Sequence, residues 1–163
     1  MGMSALALSV AQETPARKLT TTLHPDEFPP EYAMICDGKC LEPVYMDGAK
    51  LLFSRDERYR TGDFVMLHKR PEFVVPGDHQ MIVKRLVVAP TREYWQPGWI
   101  NRSGLAPTII VETLNPRRIL YIDPAKLLGI HKCVGLVPED RLSTRILSDD
   151  DVRREYAGRG ARS

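Results

Sequence analysis

The chain has 163 residues, 43% of them apolar and 27% charged, with a formal net charge of +2. That length supplies one domain of ordinary size rather than two, and the composition is that of a globular chain rather than a disordered one. The near-neutral balance excludes binding to nucleic acid or anionic lipid driven by net charge alone, and no apolar run approaches the ~20 residues needed to span a bilayer, so a cytoplasmic protein without a membrane partner is expected.

Residues 1–31 read as a flexible N-terminal arm, polar and punctuated by Pro15, Pro25, Pro29 and Pro30, with no helical periodicity. The apolar start, Ser4 to Ala11, lacks the preceding Lys or Arg of a secretory signal. An arm of about 30 residues with this proline content cannot build the packed helices of a helix-turn-helix, so no DNA-reading domain is expected.

From Tyr32 the texture changes to short β-branched, apolar runs separated by turn residues, the pattern of an antiparallel β protein. Strands are expected at Ala33–Cys36, Lys50–Ser54, Phe64–His68, Met81–Val88, Thr108–Thr113, Ile119–Ile122 and Leu128–Val137. Asp47-Gly48, Thr61-Gly62-Asp63 and Pro76-Gly77-Asp78 supply turns between the first four. The segment Tyr94–Pro107 reads as an irregular excursion whose Trp95 and Trp99 serve as core lids. Residues 139–163 are read as a C-terminal helix and tail, the helix capped by Ser148 and running through Tyr156. Its acidic run Asp149, Asp150, Asp151 and the later Arg153, Arg154, Arg159 and Arg162 read as a solvated face and a frayed end. The expected fold is mainly β: a folded-over antiparallel sheet or partial barrel spanning 32–138, with a short C-terminal helix.

Three cysteines, Cys36, Cys40 and Cys133, cannot all pair with one another and lack the dense spacing of a disulfide scaffold, so reduced thiols are expected. Gly38-Lys39-Cys40-Leu41-Glu42-Pro43 places a nucleophile between a preceding Gly and a following Pro. A chain leaving a strand in such a sharp turn exposes the side chain and the backbone N–H groups together. A zinc site from Cys36, Cys40, His131 and Cys133 is an alternative, since the i, i+4 and i, i+2 spacings allow each pair to share a face. The tight paired-cysteine spacing of zinc modules is missing. His24, His68 and His79 form no triad spacing with Cys40 and read as structural.

Taken in order, Gly38-Lys39-Cys40-Leu41-Glu42-Pro43, Asp47-Gly48, Gly62-Asp63-Phe64-Val65 and Val83-Lys84-Arg85-Leu86 resemble the LexA/UmuD self-processing peptidases of the signal-peptidase-like superfamily and the related phage repressor C-terminal domains. Leu114-Asn115-Pro116 and Gly129–Val137 look like that family's Asn-containing turn and closing strand. The resemblance spans residues 32–138. It implies a Ser/Lys dyad chemistry with Cys40 at the nucleophile position, Lys84 at the general-base position and the backbone N–H groups of Lys39 and Cys40 as oxyanion donors, with no cofactor and no metal. It gives Arg85 and Leu86 no catalytic role. It further implies autocatalytic cleavage in SOS-type or phage-repressor-type regulation, a homodimer, and a repressor, polymerase or RecA-type filament as partner. An inactive dimerisation or interaction module of the same fold is the alternative.

The chain departs from the family in three ways. Cysteine replaces serine, the hairpin from His68 to Met81 is longer than usual, and the arm contains neither Ala-Gly nor Cys-Gly, the family's usual cleavage dipeptides. Ala157-Gly158 in the tail is the chain's one Ala-Gly, so a target in trans is expected. A serine hydroxyl needs a neutral lysine to activate it, whereas a thiol needs less help. Free values of about 8.5 for Cys and 10.4 for Lys favour thiolate plus ammonium by about 2.6 kcal/mol in water, and burial penalises that charged pair.

Overall fold

The computed structural model describes residues 20–22, 24–89, 108–141, 144, 146–147 and 153–155. Its main feature is a seven-stranded antiparallel sheet, open rather than closed into a barrel, built from β2 (Glu31–Ile35), β3 (Lys50–Ser54), β4 (Phe64–Lys69), β5 (Met81–Val88), β6 (Ile109–Leu114), β7 (Arg117–Ile122) and β8 (Leu127–Leu136) in the order β2-β3-β8-β4-β5-β6-β7. Each of the seven strands expected between residues 33 and 137 is present. The turn glycines Gly48, Gly62 and Gly77 all take positive φ, which is why the chain reverses at those points.

The long strand β8 joins the two halves of the sheet by inserting between β3 and β4 (Phe53 opposite Cys133, Met66 opposite His131). Its registers shift at Leu52/Phe53 and at His68/Lys69, irregularities of the kind that bend and twist a strand. Two apolar clusters result. One gathers Phe28, Tyr32, Met34, Leu41, Leu51, Phe53, Met66 and Cys133, and the other Val65, Leu67, Leu86, Ile109, Val111, Leu127 and Ile130. Because side chains alternate along a strand, β4 sends Met66 to the first cluster and Val65 and Leu67 to the second. It is therefore covered on both faces, and each large side chain fully buried there contributes roughly 1.5–3 kcal/mol.

The packed region starts ahead of residue 32. A 3-10 turn at Pro25–Glu27, closed by a reciprocal capping box between His24 and Glu27, leads into Phe28, which is 1% exposed in the first cluster. On the far side of the chain, Ile146 bridges Ala33 in parallel and Leu147 N–H donates to the Ala33 carbonyl. The outer side of β2 is thus partly covered, while β7 forms the other edge of the sheet.

The expected C-terminal helix through Tyr156 is corrected. Within it, Arg153–Glu155 form strand β9, antiparallel to β1 (Thr20–Thr22). A backbone partner decides the outcome over local preference, since extended segments take their stability from the chain they pair with. Tyr94–Pro107, with Trp95 and Trp99, lies outside the described residues. Among the described residues no helix is long and apolar enough to cross a membrane.

Candidate functional site

Cys40 sits where the chain leaves β2 and turns before entering β3. Gly38 opens that turn at φ +95°, a conformation that a side chain would strain, which is the physical content of the Gly two residues before the thiol. The loop is pinned from inside. Gly38 N–H donates to Asp47 Oδ1 at 2.9 Å, Glu42 N–H to the Lys39 carbonyl at 3.1 Å and Tyr45 N–H to the Leu41 carbonyl at 3.1 Å. Leu41, 0% exposed, anchors the turn in the first apolar cluster directly behind Cys40. Glu42-Pro43 is a cis peptide.

A second clamp comes from the β6–β7 hairpin, far along the sequence. The Cys40 carbonyl accepts from the N–H groups of both Leu114 (2.7 Å) and Asn115 (3.1 Å). These belong to the tight β6–β7 turn at Leu114-Asn115-Pro116, itself closed by Thr113 Oγ1 donating to the Pro116 carbonyl at 2.7 Å. The Asn-containing turn noted in the sequence is thus a backbone holder for the thiol-bearing residue. With its carbonyl facing that turn, Cys40 leaves its own N–H and that of Lys39 without an acceptor among the described residues.

Lys84 reaches the thiol from β5, where it pairs with Val65 of β4. Its Nζ lies 4.0 Å from Cys40 Sγ, across 44 residues of sequence, in a half-buried setting. That is the outer limit of a hydrogen bond to sulfur, with the amine facing the thiol. The four elements singled out in the sequence, Lys39, Cys40, Lys84 and the Asn115 turn, therefore converge on one place.

Beside them stands a charged group the sequence reading did not single out. Glu112 on β6, 4% exposed, accepts from Arg85 Nε at 2.6 Å and from Arg117 Nε at 3.3 Å. The Arg85 hydrogen bond, aided by both guanidinium charges, holds its carboxyl below the usual carboxylate range. Since Arg85 follows Lys84 on β5 and Arg117 follows the Asn115 turn on β7, Glu112 ties together the strands carrying the two halves of the site. Arg85 thus gains a structural partner through the register of β5 against β6, where it stands opposite Glu112.

The zinc alternative does not assemble. All three cysteines are free thiols, and Cys36 and Cys133 are buried in the first cluster with Cys40 packed against it. No group of three or more His, Cys, Asp or Glu able to hold a metal occurs among the described residues. Burial pushes the Cys36 and Cys133 thiols up, and Cys133 is instead the partner of the Tyr45 hydroxyl. His131 turns to Tyr32 and His68, its Nδ1 lying 2.8 Å from the Tyr32 hydroxyl. Of the remaining histidines, His68 is buried, while His24 and His79 are exposed, His79 beside Asp37 at 3.7 Å.

No family model, no curated protein and no solved structure matches this chain.

Proposed function

We propose that this domain is a peptidase of the LexA/UmuD type in which Cys40 is the nucleophile, Lys84 the base, and the backbone N–H groups of Lys39 and Cys40 the oxyanion donors. The observation that carries the reading is the Lys84 Nζ to Cys40 Sγ approach of 4.0 Å, made by residues far apart in sequence. In the step proposed, Lys84 takes the thiol proton, Sγ adds to a peptide carbonyl, and the oxygen turns toward the two free N–H groups. Collapse expels the amine, which takes a proton from the Lys84 ammonium, and water then hydrolyses the thioester.

Without the family's usual dipeptides in the arm, the substrate is a segment of another chain or copy. Incubation of the wild type, Cys40→Ala and Lys84→Ala from neutral to alkaline pH, with and without a RecA-type filament and followed by intact mass, tests this. A fragment made by the wild type alone is the expected result. If a fragment appears equally in Cys40→Ala, the assignment fails.

A second reading, an interaction module of the same fold without chemistry, is supported by β7. Ile119 and Tyr121 on that edge strand are 51% and 74% exposed, and an open apolar edge is a ready surface for strand addition by a second chain.

A further inference from the structure

Away from the thiol, β4 and β8 bury two imidazoles against each other. His68 is 0% exposed and His131 3%, their rings meet edge to face with centroids 4.5 Å apart, and His68 Nε2 lies 3.2 Å from His131 Nδ1. Assigning His131 Nδ1 as the acceptor lets it serve both the Tyr32 hydroxyl, at 2.8 Å, and the His68 Nε2–H. That assignment leaves His68 Nδ1 as a bare lone pair, and it is the one buried side-chain polar atom among the described residues without a hydrogen-bond partner. Both rings must be neutral for this packing to exist, because a proton on His131 Nδ1 would remove the acceptor that two donors use, and a proton on His68 Nδ1 would be buried unpaired.

What covers the pair is the segment His24–Phe28. Phe28 lies edge-on to both rings, at 5.0 Å from His68 and 5.6 Å from His131. Pro25 sits on Gly129, so closely that a Cβ there would lie 2.9 Å from the proline ring. From outside, one Arg55 nitrogen donates to the carbonyls of Asp26 and Phe28 at 3.0 and 2.8 Å. This strap links β1 to β2.

We propose that the segment His24–Phe28 is an acid-releasable strap, held closed by the neutral His68–His131 pair and opened when both imidazoles take up protons. The charged groups facing the pair are Arg55 and Asp56 after β3, Asp26 and His24 on the strap, and the Tyr32 hydroxyl on β2. Burial, followed by the Arg55 charge, holds His131 down at about 4, and Asp26 and Asp56 oppose this. Burial, then His131 and His24, holds His68 well below its ordinary value. Both groups are depressed bases, so the closed form binds fewer protons than the open one. Strap closure is at full strength above the open-form value near 6.5 and weakens as pH falls from there toward about 4. With one proton taken up by each ring on opening, the opening equilibrium rises toward about 100-fold per pH unit in that window, and about tenfold when a single ring remains.

Hydrogen exchange of the full chain between pH 7 and 4.5, corrected for intrinsic rates, reads this directly, with peptides from the strap and from the β6–β7 hairpin measured together. The expected result is loss of strap protection on acidification with the hairpin still protected, and a slope cut toward tenfold per unit in His68→Leu and in His131→Gln, which keeps an acceptor for Tyr32. Asp26→Asn leaves the two-proton slope in place. Should one histidine variant fail to fold, the other decides. Strap protection that does not change with pH, that falls in step with the hairpin, or that keeps its slope in the folded histidine variants overturns the proposal.

Discussion

A thiol becomes a candidate nucleophile through its neighbours, and most of those around Cys40 were readable one residue at a time. Gly38, the Pro43 that follows, and Lys84 within Val83-Lys84-Arg85-Leu86 all carry local signals of backbone geometry or ordered motif. The Glu112 bridge was not readable, because a single Glu in a strand says nothing about which arginines fold against it. Its contribution to stability is pH-dependent with a fixed sign. A carboxyl held below its ordinary value near 4.5 stabilises the fold above that value and ceases to do so as pH falls through its folded one. Glu112→Gln is therefore expected to lower the urea midpoint relative to wild type at pH 7, with the difference shrinking at pH 3.5. The buried imidazoles escaped for the same reason as Glu112. His68 and His131 stand on apolar strands where a lone histidine has no periodic signature, and only the register of β4 against β8 brings them together.

Among the elements, β3 and β5 have the bounds expected of them, Lys50–Ser54 and Met81–Val88, since each is an apolar run closed off by turn residues. The strand β7 starts earlier than the expected Ile119. Arg117 and Arg118 are polar and exposed because β7 is an edge, so its first half carries no hydrophobic alternation to read. The pair β1 and β9 was missed outright. Among the described residues Thr20–Thr22 and Arg153–Glu155 pair only with each other, and long-range pairing between two polar triplets leaves no trace in either. The strap between β1 and β2 makes its own prediction at this scale. Gly129→Ala drives a Cβ into Pro25 at 2.9 Å, an overpacking expected to cost about 1–3 kcal/mol. Thermal denaturation measures that loss, and limited proteolysis is expected to cut the strap of this variant faster than that of the wild type.

Considered whole, the molecule assembles its site by topology. Cys40 comes from the β2–β3 connection, Lys84 from β5 and the clamp on the Cys40 carbonyl from the β6–β7 turn, so the site forms only when the sheet has closed its register from β2 to β7. Sequence order does not convey that convergence, whereas β4 and β8, hydrogen-bonded side by side at the sheet's centre, impose it. The most direct test of the Cys40–Lys84 pair is the rate of Cys40 alkylation by iodoacetamide at neutral pH, assigned by peptide mass because Cys36 and Cys133 are buried, in the wild type and in Lys84→Ala. Loss of the amine beside the thiol is expected to slow alkylation about tenfold. Equal rates in two equally folded proteins would mean that Lys84 does not activate Cys40, and would contradict the account.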